Sequence, residues 1–434
     1  MARWMAPARR GPLRASVTLP GSKSQTNRAL LLGATARQPL EITGALLSRD
    51  TLLAARALQQ LGVRFTGDLT VHAPERFTLS GQIDCGLAGT VMRFVPALAA
   101  FGEGTVRFDG DEAARTRPLK DLLDALVALG ARVEYHGEPG SLPFSLTGRT
   151  GEFPTEVTLD SSATSQYLSA LLLAAPAAPQ SFTVSLTGTV PSAAHVEMTT
   201  RMLADQGIPV RYDHGYLASA TRPAGVPITV EPDLSNAGPF LAATLICGGQ
   251  VTLRHWPAES TQAGADWASL LPLFGAEVIE HGSDLVVRAG SAPWEGVDLD
   301  LGRIGELTPT IAALCTLATT PSRLRGIAHL RGHETNRLAA LVTEIRRCGG
   351  EAEETETGLI IRPGQLHPAD FRAYADHRMA TFGALLGLAL PGSSVDDIAC
   401  TEKTLPQFPA RWEALLAGTN SPAIPSLGEA LARG

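Results

Sequence analysis

The chain has 434 residues and is 44% apolar, too long for one ordinary hydrophobic core and apolar enough for two or three domains. A formal net charge of −7 and a pI near 5.8 argue against a nucleic acid or an anionic membrane as partner and leave a polyanionic small molecule open. The five cysteines are far apart, with no C-x-x-C pair and no zinc-like Cys/His spacing, so they read as reduced thiols of a cytoplasmic protein with no metal. The basic N-terminus has no apolar stretch behind it, and no segment reaches the length of a membrane span.

The first informative stretch is PGSKSQTNRALLLGA, residues 20–34. A Pro-Gly break leads into a helix start that Ser22 or Ser24 can cap, and Ala29 to Leu32 carry the helix into a core. Ser24 and Arg28 share a face, and Lys23 sits in the first turn, where unpaired N–H groups already attract negative charge. A phosphate or carboxylate is the expected guest.

Five Leu-spaced helical segments then recur, each closing on a glycine and running into an alternating strand: DTLLAARALQQLGVRF, PLKDLLDALVALGARVEY, HVEMTTRMLADQGIPVRY, ADWASLLPLFGAEVIE and NRLAALVTEIRRCGGEAEE. Between them lie six helix starts followed by small apolar residues, near residues 22, 88, 163, 235, 307 and 376. Their period of roughly seventy residues nearly fills the chain and implies duplication of one α/β unit. Two domains of three units each follow, with a joint near residues 231–236. The small-residue helices should be buried and the Leu-spaced ones should show one face to water. Equivalent units should also bring the buried helices' N-termini together within a domain. The tail TNSPAIPSLGEALARG reads as a loosely held end.

Converging helix starts would gather Lys23, Ser24, Arg28, Gly89, Thr90, Arg93, Thr164, Ser165, Gln166, Asp233, Ser235, Glu306, Asp376, His377 and Arg378 into an anion site that also holds acids. Singly, each has an ordinary explanation as a cap, a solvated charge or a dipole partner. Three further charged stretches add Arg117, then His333, Glu334 and Arg337, then Lys403.

In its order of motifs the chain resembles the 5-enolpyruvylshikimate-3-phosphate synthase family: PGSKSQTNRALLL, LAGTVMRF, RPLKDLLDAL, ATSQY, PSAAH, HETNRL, YADHRMA and TEKTLPQF. The resemblance implies an inside-out α/β barrel fold of two similar domains, each of three repeated units. One domain would span 20–232, and the other would join 1–19 with 233–434, with hinge strands near 18–22 and 231–235. It also implies transfer of the enolpyruvyl group of phosphoenolpyruvate to the 5-hydroxyl of shikimate 3-phosphate, without a cofactor, by a cytoplasmic monomer. Lys23, Ser24, Arg28, Thr164, Ser165, Gln166, Ser192, His195, Glu306 and His333 would hold shikimate 3-phosphate. Lys23, Gly89, Arg117, Gln166, Arg337, Arg378 and Lys403 would hold phosphoenolpyruvate. Glu306 and Glu334 would be the acid and base, with Lys23 and His333 as their charge partners.

Glu306 stands where the family commonly has Asp, His333 for Lys, His329 for Asn, His195 for Tyr and Thr164 for Ser, a pattern similar to the actinobacterial branch. The sister family that uses UDP-N-acetylglucosamine as acceptor is marked by a Lys-Asn pair at the first helix and a loop cysteine. This chain has Lys23-Ser24 and a DHRM stretch instead.

Overall fold

The computed structural model describes residues 3–8, 11–211, 215–290 and 293–432. The third Leu-spaced segment ends at Tyr212, which lies outside them. The chain divides into two compact units. One comprises the segment ending at Pro20 with Glu231–Ile424, and the other Gly21–Val230 with the segment from Pro425.

Three small-residue helices form the centre of the second-named unit: α1 Lys23–Thr35, α2 Val91–Ala99 and α3 Gln166–Ala174. The other unit holds α4 Leu234–Cys247, α5 Thr308–Thr316 and α6 His377–Ala389. These helices are buried over nearly their whole lengths, and within each unit α3 packs on α1 and α2, and α4, α5 and α6 on one another. Small side chains also let other segments pack closely on these helices, since a methyl on Gly238 of α4 would lie 2.3 Å from the ring of Trp267. By contrast the Leu-spaced helix Arg49–Gln60 shows water one face, and Ser48 and Thr51 start it with a reciprocal capping box, worth about 1 kcal/mol.

Sheets lie outside the helices, with inward and outward residues alternating, as in Leu13–Val17. Among the described residues they are separate sheets of three to five strands, three to a unit, and no one sheet closes into a barrel. In four repeats a strand, a buried helix and a parallel strand follow in order, as in Gln82–Asp84, α2 and Glu103–Asp109. The remaining two exchange their first strands. Leu13–Val17 precedes α1 but pairs with Gly249–Leu253, which follows α4. Ile228–Thr229 precedes α4 but pairs with Leu40–Thr43, which follows α1. This exchange carries the chain from one unit to the other and back.

Both ends depart from expectation. The truncated sixth repeat lacks its own hairpin, and Trp4–Met5 pairs antiparallel with Ser394–Val395 in its place. The tail is not a loose end of the domain that precedes it. Leu427 is buried, Ser426 bridges to Leu46, and the segment from Pro425 belongs with residues 21–230. An apolar anchor outweighs sequence proximity there. Among the described residues no helix is long and apolar enough to cross a membrane.

Candidate functional site

Within the unit of residues 21–230 the helix starts are tied together by side chains. Ser22 caps α1 by accepting from the Gln25 N–H. Asn27 of α1 donates to Thr90 at the start of α2 (2.9 Å), and Arg93 of α2 donates to Gln166 at the start of α3 (2.9 Å). Arg28 is buried under Phe94, its ring centroid 5.5 Å away, and donates to Thr199 Oγ1 and to the carbonyls of Ser24 and His195. The first contribution of His195 is thus its backbone oxygen. Ser192 adopts a left-handed φ of 52° and its carbonyl accepts from the His195 N–H. Thr164 Oγ1 accepts from the Gln166 N–H, and Ser165 is buried between them without capping α3.

Lys23 Nζ stands 3.3 Å from Asp50, whose side chain is 2% exposed. Asp50 escaped sequence reasoning; the Ser48 cap that orients its helix was its only local signal. Gly89 lies against two guanidinium groups: a methyl there would be 2.9 Å from Arg93 Nη1 and 3.1 Å from Arg117 Nη2. Arg117 donates to the Leu87 carbonyl, while its Nε is buried with no hydrogen-bond partner among the described residues. Lys23, Arg28, Arg93 and Arg117 thus stand around these helix starts, cations that suit an anionic guest.

The other unit gathers its own helix starts in a balanced cluster. Asp376 caps α6 by accepting from the Arg378 N–H and takes two bonds from Arg337, at 2.7 and 3.1 Å. Arg337 also donates to Glu334 (3.0 Å), which accepts from Lys403 on its second oxygen (2.8 Å). Burial pushes the Arg337 guanidinium down, but Asp376, Glu334 and Glu306 outweigh it and raise it well above its ordinary value. Glu306, just before α5, accepts from the Ser235 hydroxyl on α4 and pairs with Arg378 of α6 at 3.6 Å.

His333 lies at the edge of this cluster. Glu334 has Lys403 and Arg337 as its close cations, with His333 Nδ1 4.0 Å away. Moreover, Arg337 Nη1 lies 3.2 Å from His333 Nδ1, and since arginine only donates, that nitrogen must accept. His329, its ring centroid 5.9 Å from that of His333, has its pKa lowered by burial and then by the Arg337 charge.

Comparisons with known proteins agree with one another. The family model described as EPSP synthase (3-phosphoshikimate 1-carboxyvinyltransferase) matches residues 7–412. The 3-phosphoshikimate 1-carboxyvinyltransferase of Kocuria rhizophila is 50% identical over 431 residues, covering 95% of this chain and 96% of the relative. Among solved structures, an EPSP synthase from Acinetobacter baumannii is similar with a TM-score of 0.75 at 23% identity, covering 94% of this chain and 96% of that one. The enolpyruvyl transferase NikO from Streptomyces tendae has a TM-score of 0.69 at 18% identity, covering 96% of each chain. These two likenesses are of fold.

Proposed function

The chain belongs to the EPSP synthase family, the 3-phosphoshikimate 1-carboxyvinyltransferases, and from that premise we propose how its own side chains serve the reaction. The enolpyruvyl group of phosphoenolpyruvate passes to the 5-hydroxyl of shikimate 3-phosphate, and phosphate is released. The 5-hydroxyl gives up its proton to a carboxylate as its oxygen bonds to the enol carbon, while the methylene gains a proton. The new methyl then returns a proton as the phosphate leaves. A carboxylate that takes and gives a proton in turn serves both steps.

In this reading Lys23, Ser24, Arg28, Thr164, Ser165, Gln166, Ser192 and His195 hold shikimate 3-phosphate, with Glu306 and His333 also contacting it. Lys23, Gly89, Arg117, Gln166, Arg337, Arg378 and Lys403 hold phosphoenolpyruvate. Glu334 and Glu306 move the protons. The observation that carries the proton assignment is Glu334 itself, 10% exposed and held between Lys403 and Arg337. A carboxylate so fixed keeps its place while substrate charge changes beside it. The Arg117 guanidinium, with Nη2 and Nη1 3.1 and 3.2 Å from a methyl placed on Gly89, supports an anionic guest there. A cytoplasmic monomer completes the reading, and the free cysteines suit a reducing compartment.

The test is phosphate release from phosphoenolpyruvate with shikimate 3-phosphate or UDP-N-acetylglucosamine as acceptor. Turnover with the first alone is expected, and turnover with the second alone would overturn the assignment. In Glu334→Gln the kcat should fall by about two orders of magnitude or more. Near-full turnover would remove Glu334 from the proton path.

A further inference from the structure

Residues 373–376 form a turn closed by the Asp376 N–H on the Ala373 carbonyl at 2.8 Å. Both central residues, Tyr374 and Ala375, are left-handed, with φ of 55° and 53°. Turns with two positive φ values are the province of Gly, Asn and Asp, and neither residue belongs to that set. Such a conformation persists only where the surroundings hold it.

We propose that Glu344 is that hold and so a positioning residue for the reaction assigned above, on which this inference rests. Glu344 is fully buried near the end of helix Arg337–Arg347. Its Oε1 accepts from the Tyr374 hydroxyl (2.7 Å), and its Oε2 accepts from the Arg372 N–H (3.0 Å) and Arg347 Nε (2.9 Å). Burial, then Glu344 itself, pushes the Tyr374 phenol up to about 12, which keeps it a donor. At the other end of the same helix Arg337 grips Asp376. The two grips are seven residues apart, two turns or about 10 Å along one face. Between them they fix a turn that delivers the Asp376 cap and Arg378, and Arg378 in turn meets Glu306. A rigid helix thus sets the position of a substrate-binding arginine through a carboxylate that touches no substrate.

The test compares wild type, Glu344→Ala, Tyr374→Phe, Ala375→Gly and the double variant Glu344→Ala/Ala375→Gly by steady-state kinetics and by hydrogen exchange of the amides of residues 372–378. Releasing the turn should raise the KM for phosphoenolpyruvate roughly tenfold in Glu344→Ala, with the KM for shikimate 3-phosphate within about twofold of wild type. Tyr374→Phe, which removes one bond only, should move the same way by less. Glycine adopts the left-handed conformation without being held, so the double variant should regain much of the lost affinity and slow the exchange again. A fall in the unfolding midpoint of Glu344→Ala with both KM values unmoved would overturn the proposal. So would failure of Ala375→Gly to rescue. Absence of wild-type turnover would instead remove the assigned reaction, while turnover with an unmoved KM removes only the role of Glu344.

Discussion

Arg337 donates two hydrogen bonds to Asp376 in a setting where neither side chain is more than 2% exposed. Removing one member of such a pair leaves a buried charge uncompensated, which costs far more than the pair contributes. Asparagine caps a helix about as well as aspartate, so Asp376→Asn isolates the charge from the α6 cap. We expect a loss of about 3 kcal/mol in urea unfolding. A loss within experimental error would mean that the guanidinium finds its compensation in Glu334 alone.

Gly89→Ala should act through arginines. The added methyl meets Arg93 Nη1 and Arg117 Nη2, flexible ends that can move aside, so the fold should survive while the two cations shift. The KM for phosphoenolpyruvate should rise about tenfold, and that for shikimate 3-phosphate much less. Equal weakening of both substrates would contradict this account.

His333 should matter through Arg337. Its Nδ1 lies 3.2 Å from Arg337 Nη1, beside the bond from Arg337 to Glu334. In His333→Leu that contact is lost, and the KM for phosphoenolpyruvate should rise by roughly fivefold. An unmoved KM would show that Asp376 and Glu334 hold Arg337 without the imidazole.

His329 should leave a mark on stability. Burial and the Arg337 charge lower its pKa from the ordinary 6.5, so the folded protein favours the neutral ring. The unfolded chain takes up the proton first as pH falls. The stability contribution is therefore complete above 6.5 and is lost as pH falls from there through the folded value. Urea unfolding at about pH 7.5 and about pH 5 should show a smaller acid loss in His329→Gln than in the wild type. Equal losses would count against a buried neutral histidine.

The sequence by itself determined the period, the six buried helices and four of the five Leu-spaced helices, because small-residue runs, caps and closing glycines act within a few residues of one another; the fourth Leu-spaced segment, with Pro272 inside it, is instead a single short turn of helix, Trp267–Leu270, between two 3-10 turns. The motif order likewise carried the family, and with it a site made largely of the right residue types. Only the tertiary structure decided which strand completes which sheet. The exchange of Leu13–Val17 and Ile228–Thr229 between repeats, the use of Trp4–Met5 to finish the last sheet, and the attachment of the segment from Pro425 to residues 21–230 all depend on pairings across hundreds of residues. Strand pairing joins backbone groups that every residue carries, so local sequence marks a strand without naming its neighbour. Charge partners behave in the same way. Local sequence pairs Glu334 with Arg337 three positions on, but only the fold adds Lys403, sixty-nine positions on, to Glu334 and Asp376, thirty-nine positions on, to Arg337. A buried charge takes the partner that the packing brings within 3 Å, and packing is settled by the whole fold.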